Sequence, residues 1–383
     1  MPEVISLRFS PYAYLLSFIL LFVTAIPVEA AKLRGREEML IQVSVSPDST
    51  LVSKQTVHSS STLARMLTKG PGLDEKREPR PVRATIQVKG RTFLLGFDGA
   101  LYDRSRKKLV RLPPESFREL DGYVTVLEQR HYGKPIPWSE VRQHFRRMSY
   151  ATVIDLETGK QFRVQRRAGS RHADVQPVTR QDTKIMKQIY QGKWSWKRRA
   201  ILVDVDGKHY AASMHGMPHG AGAIKGNQFP GHFCIHFTGS STHRKKEPDP
   251  SHSFMILKAS GKLYAAILSA DPQKLVDYFL TSLHEHDRYS LRLAADNFPL
   301  PDPLKNIESI KRQSPFAKLE TDGLLAVSIP VQVEYAYKTG PARGGTWIFS
   351  VARYTPLDPW RIADIHIEKK STKKKKKSRT KRS

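Results

Sequence analysis

The chain has 383 residues, 39% of them hydrophobic, with 64 Lys and Arg against 36 Asp and Glu, a formal charge of +28 and one cysteine. That apolar share excludes a wholly disordered chain, and a single cysteine excludes an intrachain disulfide framework. A field of this sign attracts polyanions.

In chain order, the first feature is the apolar run from Leu15 to Val28, followed by the small-residue cleavage pattern Val28-Glu29-Ala30. A spanning helix needs roughly 20 apolar residues, so residues 1–30 read as a signal peptide, and the bulk of the chain is expected to be extracellular and envelope-associated. Export reorders the candidate polyanions. Peptidoglycan and anionic cell-wall polymers, or an anionic membrane surface, come ahead of nucleic acid, for which no specific binding is expected. Residues 31–82 are polar and irregular, with Ser59-Ser60-Ser61 and a mixed-charge stretch. They read as a poorly ordered linker holding one strand near Met39 to Val45.

From Arg83 the pattern changes. Ala84 to Val88 alternates, Lys89-Gly90 turns, and Thr92 to Phe97 returns, so a hairpin opens a small α+β module over 83–146. A second hairpin runs from Ala151 to Val164 across Glu157-Thr158-Gly159-Lys160, and a third from Ala200 to Met214 across Asp206-Gly207. Between them a helix is expected from Thr179 to Gln191, closed by Gly192. A further helix starts at Asp271 and Pro272, with Leu275, Phe279 and Leu283 in a stripe. Three strand-like stretches follow, Leu324 to Tyr337, Gly345 to Tyr354 and Arg361 to Ile367. Residues 270–368 therefore resemble the cystatin or nuclear-transport-factor-like fold of one helix on a curved antiparallel sheet. The last 15 residues, 369–383, hold ten Lys or Arg and no acid, and read as a disordered polybasic tail. Taking those ten charges from +28 leaves +18, so the body is basic too. The fold class is multi-domain α+β, with a mainly β central domain over 147–262.

The chemistry concentrates in that central domain. Seven of the fourteen histidines lie between His209 and His252 and surround Cys234. A thiolate is a far better nucleophile than a thiol, and a neighbouring imidazole can take the thiol proton. In an extended strand His232, Cys234 and His236 share one face. His219 lies beyond a Gly-rich loop that can fold it back over the thiol. His172 and Asp174 form a pair able to orient a catalytic histidine. Trp194 and Trp196 are expected in the core, and His284 and His286, near a helix end, carry no assigned chemistry.

Gly231-His232-Phe233-Cys234-Ile235-His236 resembles the Ser-His-Gly-Cys-x-Arg signature of the L,D-transpeptidases (the YkuD-like domain), the cysteine enzymes that cross-link peptidoglycan stems. Pro218-His219-Gly220 resembles that family's upstream His-Gly, with His215-Gly216 a second candidate. The hairpin from Thr152 to Val164 resembles the one opening its catalytic domain, so the resemblance covers residues 150–260. It implies Cys234 as nucleophile, His219 as its base and His232 as a residue holding the site. Gly231, His215 and His236 would then line the substrate, and no cofactor or metal is required. The signature serine is Gly231 here, its glycine Phe233 and its arginine His236; an imidazole does not give the bidentate carboxylate contact of arginine.

Two other readings fit the same residues. His232 and His236, at i and i+4 on a helix, could hold zinc with His219, His243, His252, Asp249 or Cys234 in a zinc-dependent hydrolase. Pro230-Gly231 and the interleaved Phe and Ile favour a strand instead. The other reading is a non-catalytic envelope-binding protein in which Cys234 is a buried small hydrophobe.

Overall fold

The computed structural model describes residues 37–75, 77–242, 247–295 and 298–369. The signal-peptide segment 1–30, His243, and all of the basic tail after Lys369 lie outside the described residues. The molecule is α+β, built from three antiparallel β units.

The first unit is a seven-stranded sheet. Its strands are β1 (Glu37–Ser44), β2 (Val52–Ser59), β3 (Gly72–Asp74), β4 (Val82–Val88), β5 (Arg91–Gly96), β6 (Leu101–Asp103) and β7 (Lys108–Val110), in the order β2-β1-β4-β5-β6-β7-β3. Helices α1 (Ser61–Lys69) and α2 (Pro114–His131) cover it. Met39, Ile41 and Val43 alternate inward on β1 and meet Leu120, Val124 and Leu127, spaced along one face of α2. The expected linker over 31–82 is therefore corrected: its residues from Glu37 onward supply β1, β2, α1 and β3. Its polar look arises because β2 alternates, burying Val57 and Ser59 while Lys54 and Thr56 face out.

The second unit is a closed six-stranded barrel of β8 (Tyr150–Asp155), β9 (Gln161–Ala168), β10 (Ala173–Pro177), β11 (Arg198–Val205), β12 (Lys208–His215) and β13 (Phe233–His236). Their order is β10-β13-β12-β11-β8-β9, and β9 closes on β10. Val153, Phe162, Val175, Ile201, Val203, Met214, Phe233 and Ile235 fill its interior. Two helices add to that core: α3 (Trp138–His144) through Trp138 and Val141, and α4 (Arg180–Ile189) through Met186 and Ile189. Trp138 stacks on Phe237 at 5.5 Å, so the expected module boundary at 146 falls inside the barrel's own packing. Helix α4 opens on a full capping box between Thr179 and Asp182, as its sequence predicts.

Helix α5 (Pro250–Ala259) lies along the outside of β11 and β12. It explains the unbroken apolar run at 200–203. Ile201 and Val203 face the barrel interior while Ala200 and Leu202 pack outward with Phe254, Met255 and Ala259. The third unit joins the same outer core. It comprises α6 (Leu263–Leu268), α7 (Pro272–Glu285), α8 (Arg288–Ala295), α9 (Asp302–Lys305) and a meander of β14 (Ile307–Arg312), β15 (Ala326–Tyr337), β16 (Arg343–Ala352) and β17 (Arg361–Lys369). Asp271 caps α7 through the Lys274 amide, and Leu275, Phe279 and Leu283 bury against the sheet, with Phe279 edge-on to Phe349 at 5.7 Å. Each such buried side chain contributes about 1.5–3 kcal/mol. One buried cation ties the units together: Lys258 on α5 meets Glu157, in the β8–β9 turn, and Asp287, just before α8. Among the described residues no helix is long and apolar enough to cross a membrane.

Candidate functional site

The barrel's two-residue alternation decides which residues can do chemistry. On β13, Phe233 and Ile235 point into the core, so Cys234 and His236 point out beneath α5. Cys234 stands directly opposite Asp174 on β10. On its other side the Met214–Ile235 pair sets the register and places His215 of β12 beside it. The strand geometry, not a helix, is what the structure adopts for 233–236.

His219 arrives from the connection between β12 and β13. That connection doubles back so that His219 and His232 form an isolated antiparallel bridge, each amide donating to the other's carbonyl at 2.9 Å. Two glycines permit the approach. Gly220 has φ +61° and Gly231 φ +109°; a Cβ on Gly231 would lie 2.5 Å from the His219 carbonyl oxygen. Gly231, expected to line the substrate, is buried in this bridge. Gln176, fully buried on β10, holds the loop from beneath. It donates to the Gly231 carbonyl at 2.7 Å and accepts from the Ala223 and Ile224 amides. Asn227 donates to Pro177 and accepts on its carbonyl from Thr183.

The result is a thiol–imidazole pair. Cys234 Sγ is 3.3 Å from His219 Nε2, and the far nitrogen, Nδ1, donates to the Met217 carbonyl at 3.1 Å. Because a carbonyl only accepts, that contact fixes the proton on Nδ1 and leaves the Nε2 lone pair facing the thiol. Asp174 Oδ1 lies 3.7 Å from Sγ, 3.1 Å from His172 Nε2 and 4.0 Å from His232 Nε2. His172 is anchored by Nδ1 donating to Ser241. The pair His172–Asp174 thus bears on the thiol as well as on a histidine.

The imidazoles form a continuous chain of ring contacts, stacked along His172, His236 and His252 and tilted beyond. His172 lies on His236 at 4.5 Å, His236 on His252 at 3.8 Å and nearly parallel, and His252 meets His215 at 6.0 Å. His215 meets His219 at 5.2 Å, and His219 meets His232 at 4.4 Å. His252 comes from α5, whose cap Asp249 is paired with Arg198, and its Nδ1 is 2.9 Å from Ser213 Oγ. Trp196 packs over His215 and His219 while remaining 50% exposed, so it is not the core residue expected; Trp194 is half-buried against the barrel core.

Of the expected substrate residues, His215 and His236 are only 4% and 3% exposed. His236 is clamped between His172 and His252. Cys234 itself is 6% exposed. Burial, reinforced by the Asp174 carboxylate, pushes its thiol pKa up. Burial also lowers His219, opposed by its bond to Met217, and holds His215 and His252 well below the ordinary histidine value. At neutral pH the pair is a neutral thiol beside a neutral base, an arrangement for general-base activation during attack. The same atoms offer two ligand sets, His215–His219–Cys234 and His172–Asp174–Cys234, each with donor atoms within 4.8 Å of one another.

The structure brings Cys234, His219 and His232 together; the sequence reading did not include Gln176, Ser213 or the contact of Trp196 with His215 and His219. The alternation of Asp174 and Gln176 on a short strand is the signal that could have found the former. Compared with known proteins, the chain matches no family model, no curated protein and no solved structure.

Proposed function

We propose that the protein is an exported, envelope-associated cysteine acyl transferase or hydrolase that acts on peptidoglycan stem peptides through Cys234. The observation that carries this reading is the 3.3 Å approach of Sγ to the unprotonated Nε2 of His219, with Nδ1 pinned by Met217. In the mechanism, His219 takes the thiol proton as Sγ attacks the donor carbonyl. The carbon–sulfur bond forms as the carbonyl π electrons move to oxygen. Collapse expels the leaving amine, which takes its proton from His219, and an amine or water then releases the acyl group. Asp174 disfavours a resting thiolate but stabilises the imidazolium formed on His219. Phe233, where the resembling family has glycine, points into the barrel against Phe162 and Phe229, on the side of the strand away from the thiol.

A second reading rests on the depth of Cys234 and its raised pKa: an envelope-binding protein that does not turn over. The deciding experiment incubates the chelator-treated protein, and its Cys234→Ala variant, with peptidoglycan fragments and follows stem-peptide masses. Cys234-dependent release or exchange of a residue, with a trapped acyl adduct, supports the enzyme. Sedimentation with cell walls and no mass change in either protein supports the binder.

A further inference from the structure

We propose that His215, His219 and Cys234 form a binding site for a borderline divalent cation such as zinc, whose occupancy silences the thiol. The three donor atoms lie within 4.8 Å of one another. In a tetrahedral zinc site with Zn–S of about 2.3 Å and Zn–N of about 2.0–2.1 Å, sulfur and nitrogen are separated by about 3.5 Å. Sγ and His219 Nε2 already stand 3.3 Å apart, so a cation can bridge them with little movement of either group.

The ring chemistry agrees. Metal-bound histidine characteristically donates its other nitrogen to a carbonyl or carboxylate, which fixes the tautomer and the ring plane. His219 already does so, through Nδ1 to Met217. His215 is buried, and its Nδ1 receives a long 3.4 Å contact from the Met217 amide. Two imidazoles and a thiolate suit zinc over magnesium or calcium, which prefer oxygen. Three protein donors would leave a fourth position for water or an exogenous anion, and Trp196 packs against both imidazole rings. Strand β12 supplies His215, β13 supplies Cys234, and the His219–His232 bridge fixes the third ligand. The cage is therefore built on paired backbone, not on free loop.

Binding forms a metal–sulfur bond in place of the S–H bond and releases that proton to solvent. The sulfur lone pair needed for attack is then committed, so occupancy and thiol chemistry exclude each other. The inference concerns the site read above as catalytic but does not depend on acyl transfer, and its test reads the metal directly.

The test titrates the metal-free full chain with cobalt(II), an optical substitute for zinc. One equivalent should produce a near-ultraviolet thiolate-to-cobalt charge-transfer band and the intense visible bands of four-coordination. Zinc should abolish both spectra and slow alkylation of Cys234, with a chelator restoring the rate. Cys234→Ser should lose the charge-transfer band, and His215→Gln should weaken binding by more than about tenfold. The alkylation arm uses the unmutated protein, so it stands even where a variant fails to fold. Stoichiometric cobalt without a charge-transfer band, or no protection of Cys234 by zinc, would overturn the proposal. A spectrum retained in His215→Gln but lost in His172→Gln would also overturn it, by moving the metal to the His172–Asp174–Cys234 set. Absence of muropeptide turnover in the metal-free protein, with the cobalt spectrum forming normally on loading, would count against the enzyme alone.

Discussion

Replacing Asp174 by Asn isolates the electrostatic control of Cys234. The carboxylate sits on the strand position directly opposite, with Oδ1 3.7 Å from Sγ. Two unit charges about 4 Å apart interact by about 4 kcal/mol at an effective dielectric of about 20, and by about 1 kcal/mol in water. Asp174 keeps 10% side-chain exposure and shares its charge with His172, which places the repulsion between these limits, at about 1.5–3 kcal/mol. Each 1.36 kcal/mol is a factor of ten in protonation equilibrium, so removing the charge raises the thiolate population about ten- to a hundredfold. A less basic thiolate is also a weaker nucleophile, with a Brønsted slope of about 0.4–0.5, which reduces the net gain in rate to about three- to tenfold. The assay is alkylation of the chelator-treated protein by a small reagent at neutral pH, followed by intact mass. A faster rate in Asp174→Asn, with parental circular dichroism and thermal midpoint, is the expected result. An unchanged or slower rate in a folded variant would refute control by the carboxylate and leave burial as the whole cause of the raised thiol pKa.

His219→Ala should lower turnover of a stem-peptide substrate by about 10²–10⁴-fold while preserving thermal stability, because it removes the proton acceptor but no core contact. Phe233→Gly should cost about 3–5 kcal/mol in urea unfolding, since the ring fills the barrel interior, and should leave thiol reactivity of the folded protein unchanged. Lys258→Met removes the cation shared by the nearly buried Asp287 and the part-exposed Glu157 and should destabilise by about 2–4 kcal/mol, read as a lowered urea midpoint. Burial brings His131 and His284 down to about 4, and His215 and His252 well below their ordinary 6.5. The unfolded chain then binds more protons than the folded one between those values. Stability should be complete above about pH 6.5 and fall as pH drops toward about 4, by up to about 1.4 kcal/mol per unit per histidine. Urea midpoints that do not move between about pH 7 and about pH 5 would contradict this.

The hairpins and capped helices were legible because their signals are local. Lys89-Gly90 and Asp206-Gly207 sit at the tips of β4–β5 and β11–β12, and Thr179 and Asp271 cap the helices they were expected to open. The seven-stranded sheet was not legible as a whole. Its edge strand β2 and short β3 carry mostly polar, exposed residues, and their partners are fixed by long-range pairing that no local pattern reports. Helix α5 was missed for the opposite reason. Phe254, Met255, Ile256 and Ala259 give it apolar character nearly all round because it is packed between barrel and C-terminal unit, so the amphipathic period is absent. In the site, period two along 232–236 was enough to place three residues on one face. Nothing local in the sequence shows that His252 would arrive from a helix eighteen residues downstream of Cys234, or that Gln176 would carry the loop.

The same alternation sorts the differences between residues 231–236 and the signature they resemble into two kinds. Position 233 faces the barrel interior, so glycine exchanged for phenylalanine is a packing change, accommodated by Phe162 and Phe229 on the side away from the thiol. Position 236 shares the outward face with Cys234, so arginine exchanged for histidine is a chemical change. A guanidinium in that place would sit between His172 and His252, at ring separations of 4.5 and 3.8 Å. An imidazole fits that gap as a flat, neutral ring, and His252 and Ser213 continue the contact into α5. His236→Arg should therefore destabilise the fold by burying a charge, and it should do so less in His252→Ala, where space opens beside the new side chain. Urea unfolding of the two single variants and the double variant measures that coupling. Additive losses would mean that the stack is not what selects histidine at 236, and that substrate contact is the better explanation for the residue there.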